Sequence, residues 1–145
     1  MTDYSKTVPV AKALILDASG HMLMLRRSQT HPTLAGHPDL PGGLIEQDEE
    51  PGLAVAREIL EETGLVLTAT SQQILYAGAE MSENENRIRF LYVIRLNEEK
   101  PAVVISWEHE SYEWIAISEM QHIENDFHSF YHDALHYIRT NQLLD

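Results

Sequence analysis

Hydrophobic and polar positions along the chain change period several times, and each change marks an element. Val8–Leu16 is apolar and β-branched apart from Pro9 and Lys12, which predicts a strand. Asp17–Gly20 supplies a turn, and Met22–Leu25 reads as the returning partner of the first strand. Ser28–Asp39 holds two prolines and a glycine and predicts an exposed loop. Leu40-Pro41-Gly42-Gly43 predicts a rigid turn followed by two conformationally free residues. The period then lengthens. A helix is predicted from about Pro51 to Thr63, with proline in its first turn and Gly64 just past its end. Leu65–Thr70 is strand-like. Gln73–Ala79 and Ile88–Leu96 predict two strands joined by a polar turn through Ser82–Asn86. Val103–Trp107 and Tyr112–Ile117 give two more short strands. Ser118 is placed to cap a short helix, and Asp126 to cap a final helix reaching about Arg139.

Strands mixed with helices in 145 residues, without repeat, linker or low-complexity tract, predict one domain over 1–145. Its expected architecture is an α/β sandwich, with a mixed β-sheet between helices. Hydrophobic residues at 43% and charged residues at 23% exclude wholesale disorder. The lack of cysteine excludes a disulfide scaffold, a cysteine–zinc site, an iron–sulfur cluster and thiol catalysis. No apolar stretch is long enough to span a bilayer, and Met1–Lys6 shows no cationic segment leading into an apolar one. The expectation is a soluble, cytoplasmic protein with no membrane partner. A net charge of −13 repels nucleic acid backbones and argues against a duplex-binding role. An acidic protein that handles an acidic substrate needs a divalent cation between the two.

The acids crowd between Glu46 and Glu62 against a single base, Arg57. On a helix over this segment, Leu53, Val55, Ala56, Ile59, Leu60 and Thr63 are expected to share the buried side. Glu58, Glu61 and Glu62 then share an arc of roughly 100° on the other side. Carboxylates spaced i, i+3 and i+4 repel at about 0.2–0.5 kcal/mol per pair. Toward the C-terminal half of a helix the macrodipole disfavours them as well. A solvated acidic face is the plain reading. A site for Mg²⁺ or Mn²⁺, which take oxygen ligands, turns the repulsion into a function.

Gly43, Glu49, Arg57, Glu58, Ile59, Glu61, Glu62, Gly64 and Leu65 fill a known spacing. It runs Gly, five residues, Glu, seven residues, then Arg-Glu-apolar-any-Glu-Glu-any-Gly-apolar. This pattern resembles the signature of the Nudix hydrolase superfamily, and Leu40-Pro41-Gly42 resembles its lead-in. The resemblance implies a Nudix-type α/β/α sandwich that uses Mg²⁺ or Mn²⁺ to hydrolyse a nucleoside diphosphate linked to another group. It implies Glu58 and Glu62 as main metal ligands, with Glu61 and the Gly42 carbonyl completing the shell. Glu58, Glu61 and Arg57 form the implied catalytic set, Glu58 being favoured as base and Arg57 orienting the carboxylates, paired with Glu49. Glu49 and Gly64 are implied as structural positions of the motif. A further acid from a distant segment often joins such sites. Glu108, six residues before Trp114, fits that place, with Glu110 as runner-up and an ordinary exposed loop as the plain alternative.

Arg26 and Arg27 close the second strand, where the family often binds substrate phosphates; Gly43 is expected to approach the substrate too. Ordinary surface charge is the competing reading. Arg87, Arg89 and Arg95 fall on one strand face at period two, which predicts a solvated face from which Arg87 or Arg89 could reach a ligand. His128, His132 and His136 form an i, i+4, i+8 stripe that would suit zinc, but no third-ligand pattern supports it. Trp107, Trp114, Tyr76 and Phe90 are expected in the core. ADP-ribose-type members resemble one another in a proline some fifteen residues beyond the motif, and no proline lies between Pro51 and Pro101. Coenzyme A-type members share a pattern in which Pro32 replaces an arginine. The compact chain looks more like the small nucleoside-triphosphate pyrophosphohydrolases. A nucleotide-sensing module of the same fold, and an acidic helix for protein contacts, are the alternatives.

Overall fold

The computed structural model describes residues 6–67, 73–81 and 84–144. Strand β1 (Thr7–Leu16) runs through the middle of a mixed sheet. Its parallel partner is β6 (Asn86–Arg95), in register from Thr7 opposite Asn86 to Leu16 opposite Arg95. Strand β5 (Gln73–Met81) lies antiparallel beyond β6. On the other side lie β2 (His21–Arg27), β3 (Pro38–Asp39) and, paired to β2, β7 (His109–Ala116). Strand β4 (Gly42–Leu44) pairs with the first half of β1, from Val10 opposite Leu44 to Lys12 opposite Gly42.

Both faces of this sheet are covered, so β1 is apolar at nearly every position rather than alternating. Ala11, Ala13 and Ile15 join Leu23 and Leu25 under helix α1 (Pro51–Thr63). Leu14 and Leu16 join Met22, Met24, Leu91 and Val93 under helix α3 (Ser129–Thr140). The result is an α/β/α sandwich. Between β7 and α3 the short helix α2 (Met120–Ile123) is flanked by two 3₁₀ turns. No helix among the described residues is long and apolar enough to cross a membrane.

Several expectations need correction. Strand β2 meets β1 at one register pair only, Leu16 opposite Met22, and pairs along its length with β7 instead. The sheet therefore parts between β1 and β2, and β4 takes the vacated edge of β1. Val103–Trp107 forms no strand; Val104 donates one backbone hydrogen bond to Thr63 and Trp107 is 71% exposed. An apolar run that short cannot be told from a covering segment by pattern. Trp114, Tyr76 and Phe90 are half-buried against the two cores. Leu65–Leu67 pair with nothing as a strand, and Thr68–Thr70 lie outside the described residues, as do Ser82 and Glu83 of the predicted turn. The predicted loop Ser28–Asp39 ends in β3, whose Pro38 and Asp39 are buried. Ser118 sits inside the 3₁₀ turn Ile117–Glu119 and makes no capping bond. Asp126 belongs to the 3₁₀ turn Glu124–Asp126, and the cap position of α3 is His128.

Helix α1 has the predicted ends. Pro51 begins it, and Gly64, at φ 74°, ends it by donating its N–H to the Leu60 carbonyl. Its rotation differs from the apolar count. The buried strip is Ala54, Val55, Ile59, Glu62 and Thr63, while Leu53 and Leu60 stand 66% and 50% exposed. A carboxylate has taken an inward position that two leucines gave up.

Candidate active site

The parting between β1 and β2 opens a cleft of about 420 Å³. Gly42, Gly43, Glu58, Glu62, Arg27 and Glu108 line it, together with Lys12, His31, Arg87 and Arg89. Two glycines set its floor. Gly42 has φ 134°, and a Cβ there would lie 2.2 Å from the Ala11 carbonyl oxygen. At Gly43 a Cβ would lie 2.8 Å from the Glu58 carboxyl carbon. The first glycine serves the backbone and the second makes room for a functional group. Gly42→Ala is expected to cost about 2–4 kcal/mol in urea unfolding. Gly43→Ala is expected to fold with little loss, because the flexible end of Glu58 can move. It should nevertheless lower turnover roughly 10- to 100-fold by displacing that carboxylate.

Arg57 organises one wall. Its Nε and Nη2 donate to the two Glu49 carboxylate oxygens at 2.8 and 3.0 Å, and Nη1 donates to Glu58 at 3.1 Å. Nη2 also donates to the Leu44 carbonyl, so the guanidinium ties α1 to β4. The two-point bond to Arg57 holds the Glu49 carboxyl down at about 2. Glu61 stays outside the cleft and exposed, 3.4 Å from Arg57.

Glu62 enters from the buried strip of α1 and accepts the Gly42 N–H at 2.9 Å. Burial pushes its carboxyl up to about 8; Lys12 and the Gly42 N–H pull it down, and Asp39 and Glu58 push it further up. Burial also raises Glu58, against the pull of Arg57 and with a push from Glu61 and Glu108. Glu108 lies 3.9 Å from His31, whereas Glu110 accepts a bond from Gln29 outside the cleft.

The other wall rests on residues that sequence reasoning did not select. Asp39 is buried; its Oδ1 accepts from Lys12 Nζ at 2.7 Å and from the Leu40 N–H at 2.9 Å. Its Oδ2 lies 3.0 Å from His109 Nε2 and 3.5 Å from Arg27 Nε. Burial would raise the Asp39 carboxyl, but Lys12, His109 and Arg27 outweigh it and hold it well below the usual range. Lys12 is raised in turn: burial alone would lower it, and Asp39, Tyr131 and Glu62 reverse that. The one available signal was a lone cation inside the apolar strand β1.

Arg27 donates to the Thr33 carbonyl and hydroxyl at 3.0 and 2.8 Å. Arg26 is bonded to the Gly36 carbonyl and does not line this cleft. Arg89, expected on a solvated face, is buried instead. His132 and His136 stack 6.3 Å apart and bond Asn125, Asp133 and Glu124, tying α3 to the preceding turn.

Among the described residues, no three carboxylates or imidazoles stand at coordination spacing. Glu58 faces Arg57, and Glu62 holds Gly42. The donor set still suits a hard divalent cation. It is all oxygen, Gly43 leaves the space that Glu58 fills, and a buried Glu62 raised to about 8 is a carboxylate short of positive charge.

The sequence model of one family, described as the NUDIX domain, matches residues 6–135. The chain belongs to that family. The MutT protein of Methanosarcina mazei Go1 is similar at 27% identity, with a TM-score of 0.79 over 94% of this chain and 96% of that one. A MutT NUDIX hydrolase from Burkholderia pseudomallei is 26% identical, with a TM-score of 0.68 over 90% and 97% of the two chains. A MutT-like protein of Streptomyces ambofaciens is 41% identical over 59 residues, 41% of this chain and 34% of that protein. The chain thus spans about a third of that curated relative. Hydrolases of this family generally use divalent metal ions.

Proposed function

We propose that this Nudix domain is a cytoplasmic enzyme that hydrolyses a nucleoside triphosphate to the monophosphate and pyrophosphate. The observation that carries this reading is the pairing of Glu58 and Glu62 across the Gly42-Gly43 floor, with Arg27 on the facing wall of the same cleft. Glu58, Glu62 and the Gly42 carbonyl would hold Mg²⁺ or Mn²⁺, with Glu108 and Glu61 as outer ligands. When bound, the ion supplies neutralisation of the phosphate charge and lowers the pKa of a bound water.

The chain's own groups do the rest. Arg27, anchored by Thr33 and Asp39, presents a guanidinium to a phosphate oxygen. Arg57 fixes the orientation of Glu58 through its two-point grip on Glu49. Glu58, half-buried and raised by burial, accepts the proton of the attacking water. The Gly42-Gly43 backbone lets phosphate oxygens approach the floor. Water attacks phosphorus, the anhydride bond breaks, and pyrophosphate leaves with its charge held in the cleft.

A panel of nucleotides with Mg²⁺ or Mn²⁺, assayed separately for pyrophosphate and phosphate release, tests the reading. Pyrophosphate from triphosphates is the expected product, and none should form with chelator. Tight nucleotide binding without release of either product would instead identify a sensor.

A further inference from the structure

We propose that a side arm of the cleft is an anion subsite for the far phosphate of the substrate. On this proposal, which rests on the pyrophosphohydrolase reading of the neighbouring carboxylates, the enzyme selects nucleotides carrying a phosphate beyond the cleaved diphosphate link. Diphosphates that end in a neutral sugar are selected against.

The arm has a volume of about 250 Å³ and is lined by Arg27, Arg87, Arg89, His128 and Tyr131, among others. Arg27, Arg87 and Arg89 also line the carboxylate cleft, so the two spaces adjoin. The strand period puts Arg87 and Arg89 on the same face of β6 as Leu91 and Val93, which is the face that packs under α3. They are therefore drawn inward, and Arg89 is only 8% exposed.

Burying a guanidinium is costly, and the fold has built a holder for it. The Arg89 guanidinium carbon lies 5.5 Å from the Phe130 ring centre and 5.4 Å from that of Tyr131. Nη1 donates to the Tyr131 hydroxyl at 2.9 Å, and Nη2 lies 3.5 Å from Glu80. Gly78, opposite Arg89 on β5, leaves the space for Phe130; a Cβ there would come within 3.0 Å of the ring. Despite this, the Arg89 Nε–H has no acceptor among the described residues. The Arg89 guanidinium is thus buried, rigidly held and set in the lining of the arm with hydrogen-bonding capacity left over.

Three guanidinium groups face one carboxylate on this lining. Asp39 is the single carboxylate on it, and Lys12, His109 and Arg27 already engage that group. Glu85 and Glu80 bond Arg87 and Arg89 but do not line the arm. Guanidinium groups match phosphate oxygens in pairs, which suits a terminal phosphate. The arm suits a nucleobase poorly. Tyr131 and Phe130 are buried, and Arg89 and Lys12 (5.8 Å from the Tyr131 ring centre) already crowd these rings, so neither is open for stacking.

The test is the ratio of kcat/KM for a nucleoside triphosphate to that for the matching nucleoside diphosphate sugar. In Arg87→Gln and Arg89→Gln this ratio is expected to fall about 10-fold or more, the worth of one charge-assisted bond. Arg87 is the more exposed of the two, so its variant serves even where Arg89→Gln fails to fold. Calorimetry of inorganic tripolyphosphate with Mg²⁺ should show weaker binding to Arg87→Gln by a similar factor. An unchanged ratio overturns the subsite, as does a change of base preference alone. Should no nucleotide be hydrolysed while tripolyphosphate binding still depends on Arg87, the hydrolase reading fails and the subsite stands. Hydrolysis with an unchanged ratio is the reverse case.

Discussion

Glu62→Gln is expected to cut turnover at least a hundredfold while the domain stays folded. The amide keeps the shape of the side chain and can still accept the Gly42 N–H, so the contact between α1 and β4 survives. What disappears is a carboxyl that can ionise at the centre of the cleft, and with it a principal hold on a divalent cation. Stability should reveal the same charge. The ordinary carboxyl value is 4.5 and the folded value is about 8, so the folded state binds the extra proton between them. Metal-free stability from this group is fully present below about pH 4.5 and is lost as pH rises through about 8. A bound cation favours the ionised form, so the rise in melting temperature from millimolar Mg²⁺ should grow between about pH 6 and pH 8. Glu62→Gln should lose most of both the pH dependence and the Mg²⁺ response. Wild-type turnover in that variant, or an equal Mg²⁺ shift in both proteins, contradicts the assignment.

Lys12→Met is expected to be the most destabilising of the substitutions considered, by about 3–5 kcal/mol. Lys12 and Asp39 are both buried, with 2.7 Å between Nζ and Oδ1, and Lys12 also donates to the Leu40 carbonyl at 3.0 Å. Removing the cation leaves Asp39 with the Leu40 N–H at 2.9 Å, Arg27 at 3.5 Å and His109 at 3.0 Å, too little to offset its burial. Urea unfolding should register the loss directly, and the melting temperature should drop by roughly 10 °C. The Asp39 contribution is present above the ordinary carboxylate range and is lost as pH falls below it, because its folded value is depressed. In Lys12→Met this acid loss should begin at higher pH. An unfolding midpoint equal to wild type means the pair is dispensable. Lys12→Met with Asp39→Asn should recover part of the loss, since the second change removes the stranded charge.

These two residues show what the sequence made legible and what it hid. The ends of α1 were readable because Pro51 and Gly64 are local signals with local causes. The motif was readable because Gly43, Arg57, Glu58 and Glu62 need fixed spacing along one turn and one helix. The rotation of α1 was not. Counting apolar side chains places Leu53 and Leu60 inside, whereas the structure exposes them and buries Glu62. Function overrides pattern at such a position. Lys12 and Asp39 lie 27 residues apart and meet only because β1 changes partner from β2 to β4. Nothing local marks that switch. Arg89 follows the same logic: its strand face was legible, but the fact that α3 covers that face was not. Trp107 erred in the other direction, since a large aromatic predicts burial only where some element stands over it.

A crystal grown with Mn²⁺ and a non-hydrolysable nucleoside triphosphate analogue offers the most direct measurement. An anomalous peak roughly 2.0–2.4 Å from both a Glu58 and a Glu62 oxygen is the expected result, with Glu58 turned from Arg57 toward the ion. A bound nucleotide with Glu58 still on Arg57, Glu62 still on Gly42 and no ion between them would contradict it.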